Sequence, residues 1–388
     1  MSLALSEKSA LVLSDTLGDR AGSHVATWLL CRQLRLLGVR VTCFATWVTW
    51  EQGRANLDFG VTRPWLTRGC RWDWPGRSLA WRAARRIRSA KPDWVFVVGM
   101  TPLARYLLQS NVAAQAVIWE LTNATPENKF VDPAARQLLG RCRAVLSPSQ
   151  TIDQNIRLNH GYKGRILRLP FWIEDKREEQ KAESRKQKGH ESYLPSPISC
   201  LPSPRTAATD FIYLGRRDVE KGLHELVRAT AVVSKQFPGV RVLIAGQGSE
   251  EPFAAAAHEL GVAENIRFQF FRTREETMDA LANSRCLVLP SYHEGYPLVL
   301  LEAAQASVPF IATGVGSVPE LFAGANGCEI IPPRDERALV GAMLRVMGET
   351  PETYAGKRTA IHSLFRSLSS PGAVEAALRR VLKDLNGE

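Results

Sequence analysis

Short apolar runs alternate with amphipathic segments along most of the chain. Residues 10–13 form the first run, followed by a turn through Gly18 and Gly22 and an amphipathic stretch over 23–37 that Gly38 closes. Residues 40–44, 94–98, 116–119 and 144–146 repeat the apolar pattern. Strands separated by helices predict a parallel sheet with helices on both faces. The alternation breaks at 175–208, which is charged and then rich in Pro and Ser. Such a stretch can bury little apolar surface and reads as a linker or insert. The alternation restarts with strands predicted over 210–214, 240–245, 266–270, 286–289 and 310–313, and a helix over 223–237. A basic amphipathic helix is predicted over 373–385.

The chain has 388 residues, more than one hydrophobic core of about 250–300 residues holds. Two α/β domains are therefore expected, an N-terminal one over 1–174 and a C-terminal one over 209–365. The linker at 175–208 separates them, and a closing helix lies within 366–388, free to pack back on the N-terminal domain. No stretch approaches the roughly 20 apolar residues that span a bilayer. The opening segment Met1-Ser-Leu-Ala-Leu-Ser-Glu-Lys is too short and too broken by charge for a signal peptide. The seven cysteines are scattered and form no C-x-x-C pair, which speaks against a disulfide framework or a zinc site. A cytoplasmic protein with reduced thiols is the expectation.

Charge divides the chain. Residues 1–170 carry 24 Lys+Arg against 11 Asp+Glu, whereas residues 209–388 carry 19 against 22. The first half is suited to an anionic partner. One basic run, Ser78-Leu-Ala-Trp-Arg-Ala-Ala-Arg-Arg-Ile-Arg88, places Trp81, Ala84 and Ile87 at helical spacing among four arginines. It reads either as a solvated face or as a helix for a membrane surface or anionic substrate. Seven of the tryptophans (Trp28, Trp47, Trp50, Trp65, Trp72, Trp74 and Trp81) crowd this half. Interfacial use, sugar stacking and ordinary core are all open to them. No nucleic-acid module is recognisable, so nucleic acid is not an expected partner.

Two constellations carry chemistry. In Ser291-Tyr-His-Glu-Gly-Tyr-Pro-Leu-Val-Leu-Leu-Glu-Ala303 a strand feeds a loop and then a helix, with Pro297 expected as the first helical residue. Such a loop lies at the carboxyl end of a parallel strand, where ligands bind. The unpaired N–H groups of the helix start suit an anion. Glu294 and Glu302 can accept hydrogen bonds from sugar or ribose hydroxyls. In Tyr213-Leu-Gly-Arg-Arg-Asp-Val-Glu-Lys-Gly222, Arg216 and Lys221 sit in a strand-end loop and suit a diphosphate.

With Leu243-Ile-Ala-Gly-Gln-Gly248, Leu289-Pro-Ser and Gly316-Ser-Val-Pro-Glu320 added, residues 210–346 closely resemble the donor-binding domain of family 4 retaining glycosyltransferases. The N-terminal half is similar more loosely, through its strand pattern and Leu146-Ser-Pro-Ser149. The resemblance implies the GT-B fold, two Rossmann-like parallel-sheet domains facing across a cleft. It implies that Arg216 and Lys221 hold the diphosphate of a nucleotide sugar and that Glu294 bonds a sugar hydroxyl. Gly295, Tyr296, Pro297, Leu298 and Val299 would offer backbone to sugar and phosphates, and Glu302 would bond the ribose. Gly22 and Gly215 would flank the phosphates, and Arg272 would lie near the base. No metal or other cofactor is expected, because the two cations stand in for one.

The chain departs from the family in places. The N-terminal glycine loop reads Gly18-Asp-Arg-Ala-Gly22-Ser-His24, so Arg20 is an addition open to an anionic acceptor or to solvent. Glu120 follows the fourth strand, where many members carry a histidine, and His24 is an alternative on the acceptor side. Phe271 stands where relatives often have Gly. The implied activity is a retaining hexosyl transfer to a phosphate-bearing or lipid-linked glycan intermediate of polysaccharide or glycolipid synthesis, peripheral on the inner face of the membrane. An epimerase or other non-transferase on the same scaffold, or a non-catalytic binding protein, is the alternative.

Overall fold

A computed structural model gives the architecture, describing residues 5–18, 22–49, 60–62, 73–120, 133–173 and 208–387. Arg20 and nearly all of the stretch read as a linker or insert lie outside the described residues. Two compact units form, Met1–Phe171 with Val374–Glu388, and Trp172–Ala373.

The first unit runs β1 (Ser9–Gly18), α1 (Gly22–Leu36), β2 (Arg40–Thr49), β3 (Gly60–Thr62), α2 (Asp73–Ala90) and β4 (Trp94–Val98). It continues with α3 (Pro102–Gln109), β5 (Ala116–Trp119), α4 (Pro133–Leu138), β6 (Ala144–Ser147), α5 (Gln150–His160) and β7 (Ile166–Arg168). Among the described residues its seven strands are parallel, in the order β3-β2-β1-β4-β5-β6-β7.

The second unit runs β8 (Thr209–Leu214), α6 (Leu223–Val233), β9 (Val242–Ala245), α7 (Glu251–Glu259), β10 (Ile266–Gln269), α8 (Arg274–Ala282) and β11 (Ser284–Leu289). Then follow α9 (Leu298–Gln305), β12 (Phe310–Thr313), α10 (Val318–Phe322), β13 (Cys328–Ile331), α11 (Glu336–Met347) and α12 (Pro351–Ser369). Among the described residues six parallel strands take the order β10-β9-β8-β11-β12-β13.

Parallel strands covered on both faces are apolar throughout. Trp94–Val98 and Phe310–Thr313 are accordingly buried at every position. Helix ends follow local chemistry. Ser149 Oγ accepts from the Ile152 N–H at 3.2 Å and starts α5, and Gly161 ends it in the left-handed region. The last helix, α13 (Pro371–Asn386), buries Leu378, Val381, Leu382 and Leu385. From Val374 onward it belongs to the first unit. There the Arg143 guanidinium donates to the Leu385 carbonyl, and Arg165 Nη1 donates to the Asp384 carbonyl at 2.5 Å.

Several details differ from the sequence reading. The helix expected over 223–237 stops at Val233, and the next residues close as turns through Ser234 N–H to Thr230 O and Phe237 N–H to Val233 O. The strand expected to reach Phe270 ends at Gln269, leaving Phe270 half-exposed. In α2 the buried stripe is Leu79, Ala80, Ala83, Ala84 and Ile87, so of the row Trp81, Ala84 and Ile87 only Trp81, 62 % exposed, lies outside it. The Leu79 stripe fills the sheet-facing side with smaller residues, which turns Trp81 outward. Among the described residues of the first unit, Trp94 and Trp119 are the fully buried tryptophans.

Candidate active site

In the second sheet, β8 leads outward to β9 and β10, while β11 leads the other way to β12 and β13. The direction reverses between β8 and β11, which pair with Cys286 opposite Phe211. Crevices beyond the carboxyl ends of strands at such a reversal are where open parallel sheets bind ligands. The two loops that carry the sequence-predicted residues leave from these two strands.

The β8 loop is built by a cap and a glycine. Asp218 caps a single turn, Val219–Lys221, and Gly222 ends it at φ +66°. A Cβ on Gly222 would stand 2.0 Å from the Pro290 carbonyl oxygen in the β11 loop, so only glycine allows this approach. The Tyr292 N–H donates to the Glu220 carbonyl at 2.8 Å and ties the loops again. Across the join, Lys221 Nζ lies 2.6 Å from Glu294 Oε1, with the side chains 18 % and 14 % exposed. Arg216 is more open, 45 % exposed, with Nη1 3.4 Å from Asp218 Oδ2. Beneath it, the Tyr213 hydroxyl donates to the Arg216 carbonyl at 2.7 Å. Burial pushes the Tyr213 phenol well up, and the nearby Glu294 charge adds to the shift. It stays a neutral hydrogen-bond donor.

The loop from Ser291 to Pro297 is held from below. Thr313 Oγ1 donates to the buried Ser291 carbonyl at 2.5 Å, and the Ser317 N–H donates to the Gly295 carbonyl at 3.0 Å. Gly316, at φ +57°, passes so close that a Cβ would meet the Glu294 carbonyl oxygen at 2.2 Å. Helix α9 begins at Leu298, and Pro297 is its N-cap rather than its first helical residue (φ −79°, ψ +89°). Proline has no N–H to offer, so the free first-turn N–H groups of α9 are those of Leu298 and Val299. Glu302 lies in the second turn of this helix.

Glu302 does not stand alone. Its Oε1 accepts from Arg274 Nη1 at 2.5 Å, a residue absent from the sequence-predicted set. No local motif marks Arg274. Its only sequence signal is the helix-start pattern Thr273-Arg-Glu-Glu276. Arg272, expected near the base, is exposed, and its N–H donates to Glu276 Oε2 at 2.7 Å. Arg217 serves the scaffold, with its N–H on the Gln247 carbonyl at 2.6 Å and its Nε on the Gly248 carbonyl at 2.9 Å.

The other predicted residues belong to the first unit. Gly22 opens α1 and His24 lies in its first turn. Glu120 follows β5, is fully buried, and its N–H donates to the Leu146 carbonyl at 2.9 Å. Arg20 lies outside the described residues. Among the described residues, no three of His, Cys, Asp and Glu gather where a metal ion could sit.

The glycosyl transferases group 1 model matches residues 204–358, and the glycosyltransferase family 4 model matches residues 21–177. The chain belongs to the family 4 glycosyltransferases. Glycogen synthase of Mycobacterium tuberculosis (strain ATCC 25618 / H37Rv) is 29 % identical over 158 residues, 40 % of this chain and 38 % of that protein. The chain thus spans about two fifths of the length of that curated relative. Sucrose-phosphate synthase from Thermosynechococcus elongatus shares the fold at TM-score 0.75 and 16 % identity, covering 98 % of this chain and 99 % of that one. Anabaena HepE, solved in complex with UDP, matches at TM-score 0.68 and 14 % identity, covering 97 % and 100 %. The glycosyltransferase fold is GT-B, with a Rossmann-like parallel sheet in each unit.

Proposed function

We propose that the protein transfers a sugar from a nucleotide-sugar donor to an acceptor hydroxyl with retention of anomeric configuration. The observation that carries this reading is the meeting of Lys221 and Glu294 at the reversal point of the second sheet, 2.6 Å apart and mostly buried. A cation and a hydroxyl acceptor placed together suit a sugar joined to a diphosphate. Breaking the anomeric C–O bond leaves negative charge on the departing diphosphate. Lys221, Arg216 and the N–H groups at the start of α9 would stabilise that charge as it develops. The cations take the place a metal ion would otherwise fill. Glu294 would orient the sugar through a hydroxyl, and Glu302 would receive a ribose hydroxyl. The complexes of HepE with UDP, and with UDP and glucose, support a nucleotide-sugar donor.

The acceptor reading rests on charge. The excess of basic residues over 1–170 favours a phosphate-bearing or lipid-linked glycan. Helix α2 favours an anionic membrane surface as the place where it is met. Arg85, Arg86 and Arg88 are exposed along it, and Trp81 stands out beside them. No helix among the described residues is long and apolar enough to cross a membrane.

Thermal unfolding against UDP-, ADP- and GDP-sugars tests the donor. A ligand that binds only the folded state raises stability by mass action. One donor class should raise Tm, and Arg216→Ala should remove the rise. No rise with any of the three overturns the donor reading.

A further inference from the structure

We propose that Arg274 is a positioning residue that holds the Glu302 carboxylate in place for the ribose of the donor. This rests on the ribose role proposed above for Glu302. The two residues come from different helices, Arg274 opening α8 and Glu302 in the second turn of α9. Their ion pair, Nη1 to Oε1 at 2.5 Å, is mostly shielded, with side chains 21 % and 17 % exposed. Shielding makes the pair firmer than a surface one, because water competes less for either charge.

The turn that presents Arg274 is itself fixed. Thr273 Oγ1 accepts from the Glu276 N–H at 3.1 Å, and Glu276 Oε2 accepts from the Arg272 N–H at 2.7 Å. This reciprocal cap secures both ends of the turn. Arg274 is therefore delivered by a backbone turn that its neighbours hold in place.

Two consequences follow for Glu302. Its side chain is confined to one orientation, and Oε2 keeps its lone pairs for a hydroxyl. Its negative charge is also offset, which matters beside an incoming diphosphate. A bare carboxylate there would repel the ligand that it is meant to receive. Lysine would supply the charge but not the planar fork that fixes direction.

The test compares ribose with deoxyribose. UDP, ADP and GDP, and the 2′-deoxy and 3′-deoxy form of each, are titrated calorimetrically into the full chain. With the base that responds, the wild type should prefer the ribonucleotide over one deoxy form by about 10- to 100-fold, the scale of a charged hydrogen bond. Arg274→Ala should lose most of that preference by weakening the ribonucleotide, while the deoxynucleotide changes by less than about threefold. Glu302→Gln should do the same, and the double variant should lose no more than either alone. Arg274→Gln repeats the test should the alanine variant fold poorly, with Tm as the control.

Equal weakening of ribo and deoxy forms by Arg274→Ala overturns the proposal, since it indicates a direct phosphate contact or a structural part. Loss of preference in Glu302→Gln but not in Arg274→Ala overturns it while leaving the ribose role of Glu302 standing. A wild type without ribose preference removes that role, and the proposal with it. A chain that binds none of the three diphosphates removes the donor reading itself.

Discussion

Lys221 Nζ and Glu294 Oε1 stand 2.6 Å apart although 73 positions separate them in the chain. Their loops leave neighbouring parallel strands where the sheet changes direction. The contact joins the residue suited to a leaving diphosphate to the one suited to a sugar hydroxyl. Glu294→Ala should lower kcat for transfer by at least about 100-fold, the scale of losing one group aimed at the transition state. Circular dichroism should show the fold intact. Unchanged turnover would remove Glu294 from the site.

Gly222 is the steric hinge of the same contact. Gly222→Ala should destabilise the second unit by about 1–3 kcal/mol, because it adds left-handed strain to a clash with the Pro290 carbonyl. Chemical denaturation measures this. A loss no greater than that of Gly239→Ala, where a Cβ meets nothing within 4 Å, would mean that the loop yields.

Asp93 predicts a pH dependence in the first unit. Burial pushes its carboxyl up, but Lys8 Nζ at 2.9 Å and the Ser9 N–H at 2.8 Å outweigh burial and hold it below the ordinary value. A carboxyl lowered on folding adds stability above its unfolded value, about 3.9. That stability is lost as pH falls through the folded value. Asp93→Asn should therefore be less stable than wild type near pH 7, and the difference should close as pH drops below the usual carboxylate range. Denaturant midpoints at several pH values check it, and a gap that stays constant with pH would contradict it.

If α2 meets anionic membranes, vesicles of phosphatidylglycerol should pellet the protein at low salt and release it as salt rises. Replacing Arg85, Arg86 and Arg88 with Glu should abolish pelleting while leaving Tm close to wild type, since all three are exposed. Pelleting that survives both changes would place the membrane contact elsewhere.

Legibility in the sequence follows burial. Trp94–Val98 and Phe310–Thr313 are plain in the sequence because both faces of an inner parallel strand must be apolar. The edge strands Gly60–Thr62, Ile166–Arg168 and Cys328–Ile331 are three or four residues long, and each pairs on one side only. Their sequences Gly-Val-Thr, Ile-Leu-Arg and Cys-Glu-Ile-Ile mix polar residues into the run, so neither a continuous apolar stretch nor a sustained alternation marks them. In α2, helical spacing groups Trp81 with Ala84 and Ile87, and only packing shows that Trp81 alone stands outside the stripe these two share with Leu79. The site divides in the same way. Glu294, Glu302, Arg216 and Lys221 lie in strand–loop–helix contexts that local sequence displays. Arg274 meets Glu302 from 28 positions away, through a helix crossing that no local pattern records. Pro297 shows a finer limit, since a proline suits the N-cap as well as the position after it.

The last helix gives the order of assembly a consequence. Residues Val374–Glu388 complete the first unit, yet the ribosome delivers them only after all of Trp172–Ala373 has emerged. Domains usually fold in the order in which they are made. Here the second unit can finish first, while the first waits with the seat for Leu378, Leu382 and Leu385 unfilled. A released chain ending at Ala373 should therefore show a protease-resistant second unit and a first unit still open to cleavage.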